Sequence, residues 1–165
     1  MPLLIVIPVR NEERRLGPGL ARLAESLQAQ GCLDAMIVVS DNGSTDWTRS
    51  VAIESASKIP YRVVYHRACD HGDKGVAICS AWESAPDGYD VLAYCDADMA
   101  TDPEALVRGY RLIAENDFGA TTSRVGTSLV GTSEQESPHN EQRNTRHEDE
   151  PVDFRRGHPP AQCRY

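Results

Sequence analysis

Two aspartates one residue apart, Asp96 and Asp98, follow the apolar run Val91 to Cys95, and a third, Asp102, stands just before Pro103. Carboxylates at i and i+2 on a turn can face one point. They are hard oxygen ligands of the kind that Mg²⁺ or Mn²⁺ takes. Such an ion would bridge a diphosphate and stabilise a departing phosphate as a Lewis acid. An EF-hand is excluded, because Ala100 stands where its third ligand would be and the glycine after that ligand is missing. Three other polar sets follow apolar runs: Asn11 and Glu12, then Asp41 and Asn42, then Asp73 and Lys74. Asp41 is open to two compatible readings. Its carboxylate can accept hydrogen bonds from a base or ribose, or it can close an Asx-type turn through Asn42-Gly43-Ser44. In "GDKG", Lys74 could meet a phosphate at a helix N-terminus, although no P-loop and no G-x-G-x-x-G is present.

The elements that carry these residues repeat one pattern. Leu3 to Val9, Asp34 to Ser40, Tyr61 to His66 and Asp90 to Cys95 are short apolar runs that read as buried strands. Between them, Leu16, Leu20, Leu23, Ala24 and Leu27 recur at helical spacing before Gly31, which ends that helix. Val51, Ala52 and Ile53 fall in a second predicted helix, with Ser44 and Thr45 as its expected N-caps. "VAICSAWESA" predicts a third helix and "EALVRGYRLIAEN", led by Pro103, a fourth presenting Leu106, Tyr110 and Ile113. Trp47 and Trp82 are expected to pack within helices. Strand and helix in alternation imply an α/β fold with a parallel sheet covered on both faces. Right-handed crossovers then bring every strand C-terminus to one edge, so the four polar sets line one crevice. An aspartyl-nucleophile phosphatase could also use the D-x-D pair, but its site would more naturally follow the first strand.

With 165 residues, one domain is expected. A net charge of -8 argues against binding to nucleic acid and against a polybasic membrane anchor. No apolar run approaches the roughly 20 residues of a transmembrane helix. Five cysteines with no C-x-x-C make a disulfide framework unexpected and point to the reducing cytoplasm. His66, Cys69 and His71 match no standard zinc spacing.

"IVIPVRNEE", "IVVSDNGSTDWT", "GDKGVAICSAWESA" and "DVLAYCDADMATDPEAL", in that order, resemble the N-terminal half of family 2 glycosyltransferases with the GT-A fold. The polyprenyl (dolichyl) phosphate mannose or glucose synthase branch is the most similar. The resemblance covers roughly residues 3 to 125 and implies a Rossmann-like fold that binds a nucleotide-diphosphate sugar. It implies nucleoside contacts at Pro8, Arg10 and Glu12, with Val39 and Asp41 flanking the base and Asp41 bonding to it. It also implies Asp96 at the ribose or the metal, Ala97 close to the nucleotide, Asp98 on Mg²⁺ or Mn²⁺, and Lys74 as a basic residue of the nucleotide site. Arg10 stands where this branch often has an aromatic residue.

The expected activity is transfer of a sugar from a UDP- or GDP-sugar to an acceptor such as a polyprenyl phosphate. The expected location is cytoplasmic, at most peripheral to a membrane. A donor-binding half that holds nucleotide and metal without transfer, and a nucleotidyltransferase of similar fold, are the alternatives. In the family a second half supplies the acceptor site and usually a catalytic base. Beyond "TSRVG", the sequence from Gly126 to Tyr165 has little apolar periodicity and reads as a disordered or aberrant tail. A truncated or frameshifted reading frame would give such a tail. No catalytic residue is assigned.

Overall fold

The computed structural model describes residues 1–116. The expected boundary near residue 125 and the tail beyond it lie outside the described residues. The described chain alternates β1 (Leu3–Val9), α1 (Leu16–Ala29), β2 (Ala35–Asp41), α2 (Thr48–Ala56), β3 (Arg62–Arg67), α3 (Lys74–Glu83), β4 (Val91–Tyr94) and α4 (Pro103–Asn116). The strands form one sheet in the order β3-β2-β1-β4, with every neighbouring pair parallel. All four C-terminal ends therefore share one edge, as the alternation predicts.

β1 is buried along its whole length, because it is central and has helices on both faces. Its odd-numbered side chains, Leu3, Ile5, Ile7 and Val9, pack with Leu16, Leu20, Leu23 and Leu27 of α1 and with Val107 of α4. Its even-numbered side chains, Leu4 and Val6, pack with Met36, Val38 and Ile78 on the face covered by α3. Burying each such side chain contributes about 1.5–3 kcal/mol, so this strand anchors the sheet. Leu106, Tyr110 and Ile113 of α4 lie against the first core, as their spacing predicts. Gly31 ends α1 in the left-handed region, with φ +68°, where glycine meets no Cβ penalty. Coverage fails at β4, where Leu92 is 41% and Tyr94 52% exposed.

Two expectations for the second unit are corrected. Helix α2 begins at Thr48, and neither Ser44 nor Thr45 caps it. The Asp46 carboxylate instead accepts from Thr48 N at 3.0 Å and from Glu13 N at 3.2 Å. Ser44 and Thr45 are bound to Asn11 of the first loop. Trp47 does not pack in a helix: it precedes α2 and is 73% exposed. Trp82 does pack, against the second core.

Candidate functional site at the C-terminal edge of the sheet

Four loops close around the crevice, and the bonds between them fix its shape. Asn11 takes a left-handed backbone, φ +56°, which asparagine tolerates better than most residues. Its amide N–H donates to Ser44 Oγ at 3.0 Å, and its Oδ1 accepts from Thr45 N at 2.8 Å. One residue on, Glu12 N donates to Thr48 Oγ1 at 2.8 Å. The β1–α1 loop is thereby stitched to the β2–α2 loop.

The D-x-D loop is set by helix α1. A Cβ placed on Gly19 would lie 2.1 Å from the carbonyl oxygen of Ala97, so only glycine lets the helix approach so closely. Ala97 and Met99 are buried in the first core, at 4% and 3% exposure, and leave Asp96 and Asp98 facing outward. Met99 is left-handed, with φ +51°, and its N–H donates to Asp96 O at 3.0 Å. Cys95, just before the pair, belongs to the core; burial, with the Asp96 charge beside it, pushes its thiol up to about 12.

Each carboxylate of the pair already faces a cation. Lys74 Nζ lies 2.6 Å from Asp96 Oδ1. Arg15 Nη1 stands 4.0 Å from Asp98 Oδ2, while its Nε and Nη2 hold the two oxygens of Glu12 at 2.7 and 2.9 Å. Lys74 is the first residue of α3, and the Asp73 side chain caps that helix by accepting from Val76 N. Arg22 of α1 reaches Asp102 at 3.7 Å and the Met99 carbonyl at 3.5 Å.

The other predicted residues are distributed as follows. Asp41 is fully buried: its Oδ1 accepts from Gly43 N at 2.9 Å and Ser44 N at 2.7 Å, and its Oδ2 accepts from Tyr65 Oη at 2.7 Å. The Asx-type turn is thus present. Burial, then the bond to Asp41, raises the Tyr65 phenol above its ordinary value. Val39 is fully buried in the first core, and Pro8 is buried in β1, so both form the floor under the loops. Arg10 is exposed, with its guanidinium over Gly72, whose φ of +74° brings the β3–α3 loop against it. The ion pairs form two sets, Lys74 with Asp96 and Arg15 with Glu12 and Asp98, whereas Asp41 stands apart in its turn with Arg67 Nη1 at 3.7 Å.

The sequence places Asn42 at the crevice with Asp41 but assigns it no ligand contact. It is 5% exposed, its N–H donates to Val9 O at 3.0 Å, and its buried Oδ1 has no hydrogen-bond partner among the described residues. An orphan acceptor beside β1 and Arg10 is suited to a ligand donor. One strand over lies an open depression of about 540 Å³, lined by Asp41, Ser44, Thr45, Asp46, Arg49, Tyr65 and Arg67. Arg49 sits over the Tyr65 ring at 5.6 Å, and Asp41 is the only predicted site residue there.

The parallel sheet and the polar loops at its C-terminal edge define an α/β domain of the GT-A type. The chain belongs to glycosyl transferase family 2, whose model matches residues 4–162 and so runs past the four motifs. It is 31% identical over 125 residues to an undecaprenyl-phosphate mannosyltransferase of Micrococcus luteus, covering 76% of this chain and 49% of that protein. It is 36% identical over 129 residues to a polyprenol monophosphomannose synthase of Mycolicibacterium smegmatis, covering 77% and 45% respectively. The chain thus spans about half the length of these curated relatives. The crystal structure of S. aureus TarS 1-349 in complex with UDP-GlcNAc superimposes with a TM-score of 0.51 at 18% identity, over 72% of this chain and 33% of that one. These relatives agree with the polyprenyl-phosphate sugar synthase branch that the motifs resemble.

Proposed function

We propose that this chain binds a nucleotide-diphosphate sugar and serves a glycosyltransferase whose acceptor is a polyprenyl phosphate. The observation that carries this reading is the placement of Asp96 and Asp98 beside Lys74 and Arg15, at the mouth of the crevice between the first, third and fourth loops. The names of the two mannosyl-transferring relatives support the acceptor class. The UDP-GlcNAc complex of the structural neighbour supports the donor class.

In this reading the nucleoside lies over Pro8 and Val39, between Arg10, Glu12 and the end of β2. Asp41 shapes the turn that presents Asn42, and the Asn42 amide meets the base edge. Ala97 lies close beneath the ribose, with Asp96 at its rim. Lys74 draws the diphosphate. Among the described residues no three His, Cys, Asp or Glu side chains gather as a metal cluster. The donor set nevertheless fits Mg²⁺ or Mn²⁺, because Mg²⁺ is commonly held by one or two carboxylates with substrate phosphates and water completing the shell. Among the described residues Asp96 Oδ2 and Asp98 Oδ2 accept no hydrogen bond, Asp98 Oδ2 having only the Arg15 guanidinium at 4.0 Å, and they would be those ligands, with Asp98 the principal one. The ion, when bound, would neutralise charge developing on the leaving diphosphate.

No helix among the described residues is long and apolar enough to cross a membrane. A cytoplasmic position, peripheral to the membrane that carries a lipid acceptor, belongs to the same proposal. The test is transfer of radiolabelled sugar from UDP- and GDP-sugars to polyprenyl phosphate with Mn²⁺. Lipid-linked label is the expected result. Nucleotide binding without transfer would favour a donor-binding unit, and the absence of both would end the reading.

A further inference from the structure

We infer that Lys74 and Arg15 are built-in counter-ions of the Asp96–Asp98 pair. They hold the two carboxylates when no divalent ion is bound and turn to the diphosphate when one is. The inference rests on reading this crevice as a metal and diphosphate site. Each aspartate is met by a cation from a different loop, Lys74 at 2.6 Å and Arg15 at 4.0 Å. The loop that carries the aspartates is fixed in its backbone. Ala97 and Met99 are buried, Met99 N bonds Asp96 O, and Asp98 Oδ1 accepts from Ala100 N at 3.0 Å. The cations are free to move instead, since the Lys74 and Arg15 side chains are 52% and 58% exposed.

Exposed ion pairs are weak, so a divalent ion can displace both cations by side-chain rotation alone. Each cation has a second resting place. Lys74 Nζ lies 5.7 Å from the centre of the Tyr94 ring, and Arg15 keeps its pair with Glu12. The exchange therefore leaves no charge stranded. Before metal arrives, the pairs spare the crevice two bare carboxylates that would repel a diphosphate.

Opposite effects on two ligands follow. A cation beside the carboxylates competes with the metal but attracts the diphosphate. Removing it should tighten Mn²⁺ alone and weaken the diphosphate alone, whereas a merely structural role would weaken both. The experiment measures Mn²⁺ binding without nucleotide by electron paramagnetic resonance, and UDP and GDP binding in EDTA by calorimetry. The proteins are wild type, Lys74→Gln, Arg15→Gln and, as a charge-matched control, Arg14→Gln. Lys74→Gln should bind Mn²⁺ on the order of three- to tenfold more tightly and the nucleotides weaker by a similar factor. Arg15→Gln should move the same way by less, given its longer contact. Arg14 is exposed and has no ion pair among the described residues, so Arg14→Gln should change either affinity by less than about twofold, because screening weakens an exposed charge. Unchanged or weaker Mn²⁺ binding in both site variants overturns the inference, as does an equal effect of Arg14→Gln. The wild-type arm separates the two levels. A wild type that binds neither Mn²⁺ nor nucleotide ends the crevice reading and this inference together; a wild type that binds both, with no opposed shifts in the variants, ends only the inference.

Discussion

Gly17 and Gly19 stand two residues apart in α1, and replacing each with alanine should have opposite outcomes. A Cβ on Gly19 would sit 2.1 Å from Ala97 O and 3.2 Å from Ala97 C, both backbone atoms of the D-x-D loop. The nearer contact is more than about 1 Å short of van der Waals separation, so helix and loop must part. Overpacking of this kind costs about 1–3 kcal/mol, against which helix propensity returns at most about 1 kcal/mol. With the full return set against it, Gly19→Ala should lose up to about 2 kcal/mol. A Cβ on Gly17 would meet Val51 Cγ1 at 3.5 Å and Ser55 Oγ at 3.7 Å, which is ordinary contact. Gly17→Ala should be neutral or gain up to about 1 kcal/mol through propensity and a less flexible unfolded chain. Urea unfolding of both variants measures the difference. The loop displaced in Gly19→Ala should also lose Mn²⁺-dependent diphosphate binding, which Gly17→Ala keeps. Equal stabilisation by both substitutions would refute the close approach of α1 to the loop, and with it the account of how Asp96 and Asp98 are aimed.

Other outcomes follow from the β2–α2 loop. Asp41→Ala removes a buried acceptor of three hydrogen bonds and should cost about 3 kcal/mol in chemical denaturation, whereas Asn42→Ala removes an orphan oxygen and should cost under about 1 kcal/mol. Nucleoside affinity measured by calorimetry should fall in Asn42→Ala; affinity equal to wild type would remove Asn42 from the base site. Burial alone would raise the Asp46 carboxyl, but hydrogen bonds from Thr48 and Glu13 outweigh it and hold it below its ordinary value. Its contribution to stability is therefore complete above the unfolded carboxyl pKa of about 4 and is lost as pH falls through the lower folded value. Acid titration of Asp46→Asn should show a shallower loss of stability below about pH 4 than wild type; parallel curves would contradict this.

The strands are legible in the sequence because each is a short apolar run, and β1 coincides with its predicted limits at Leu3 and Val9. The crevice is legible because strand-helix alternation fixes which ends of the strands carry the loops. The start of α2 is not legible. Ser44 and Thr45 look like caps locally, but the Ser44 hydroxyl and the Thr45 amide are used by Asn11, more than thirty residues earlier. The occupancy of Asp41 depends on Tyr65 in another strand, so its turn role and its base role cannot be weighed from "SDNGSTD" alone. Arg15 and Gly19 belong to the site through contacts with Asp98 and Ala97, which only the folded sheet brings near. A glycine inside an apolar helical pattern was the available signal for Gly19, since it costs helix propensity, but Gly17 gives the same signal and only the fold tells the two apart.

The central claim is that Asp98 joins a divalent ion to a bound nucleoside diphosphate. The most direct measurement is calorimetric titration of UDP and GDP into wild type and Asp98→Asn, each with Mn²⁺ and with EDTA. The substitution removes one charge with little change in size, and a neutral amide is a poorer ligand for a hard divalent ion. The account predicts that Mn²⁺ strengthens diphosphate binding in wild type and not in Asp98→Asn, while affinity for the bare nucleoside stays the same in both. An Mn²⁺ enhancement that survives in Asp98→Asn would contradict it.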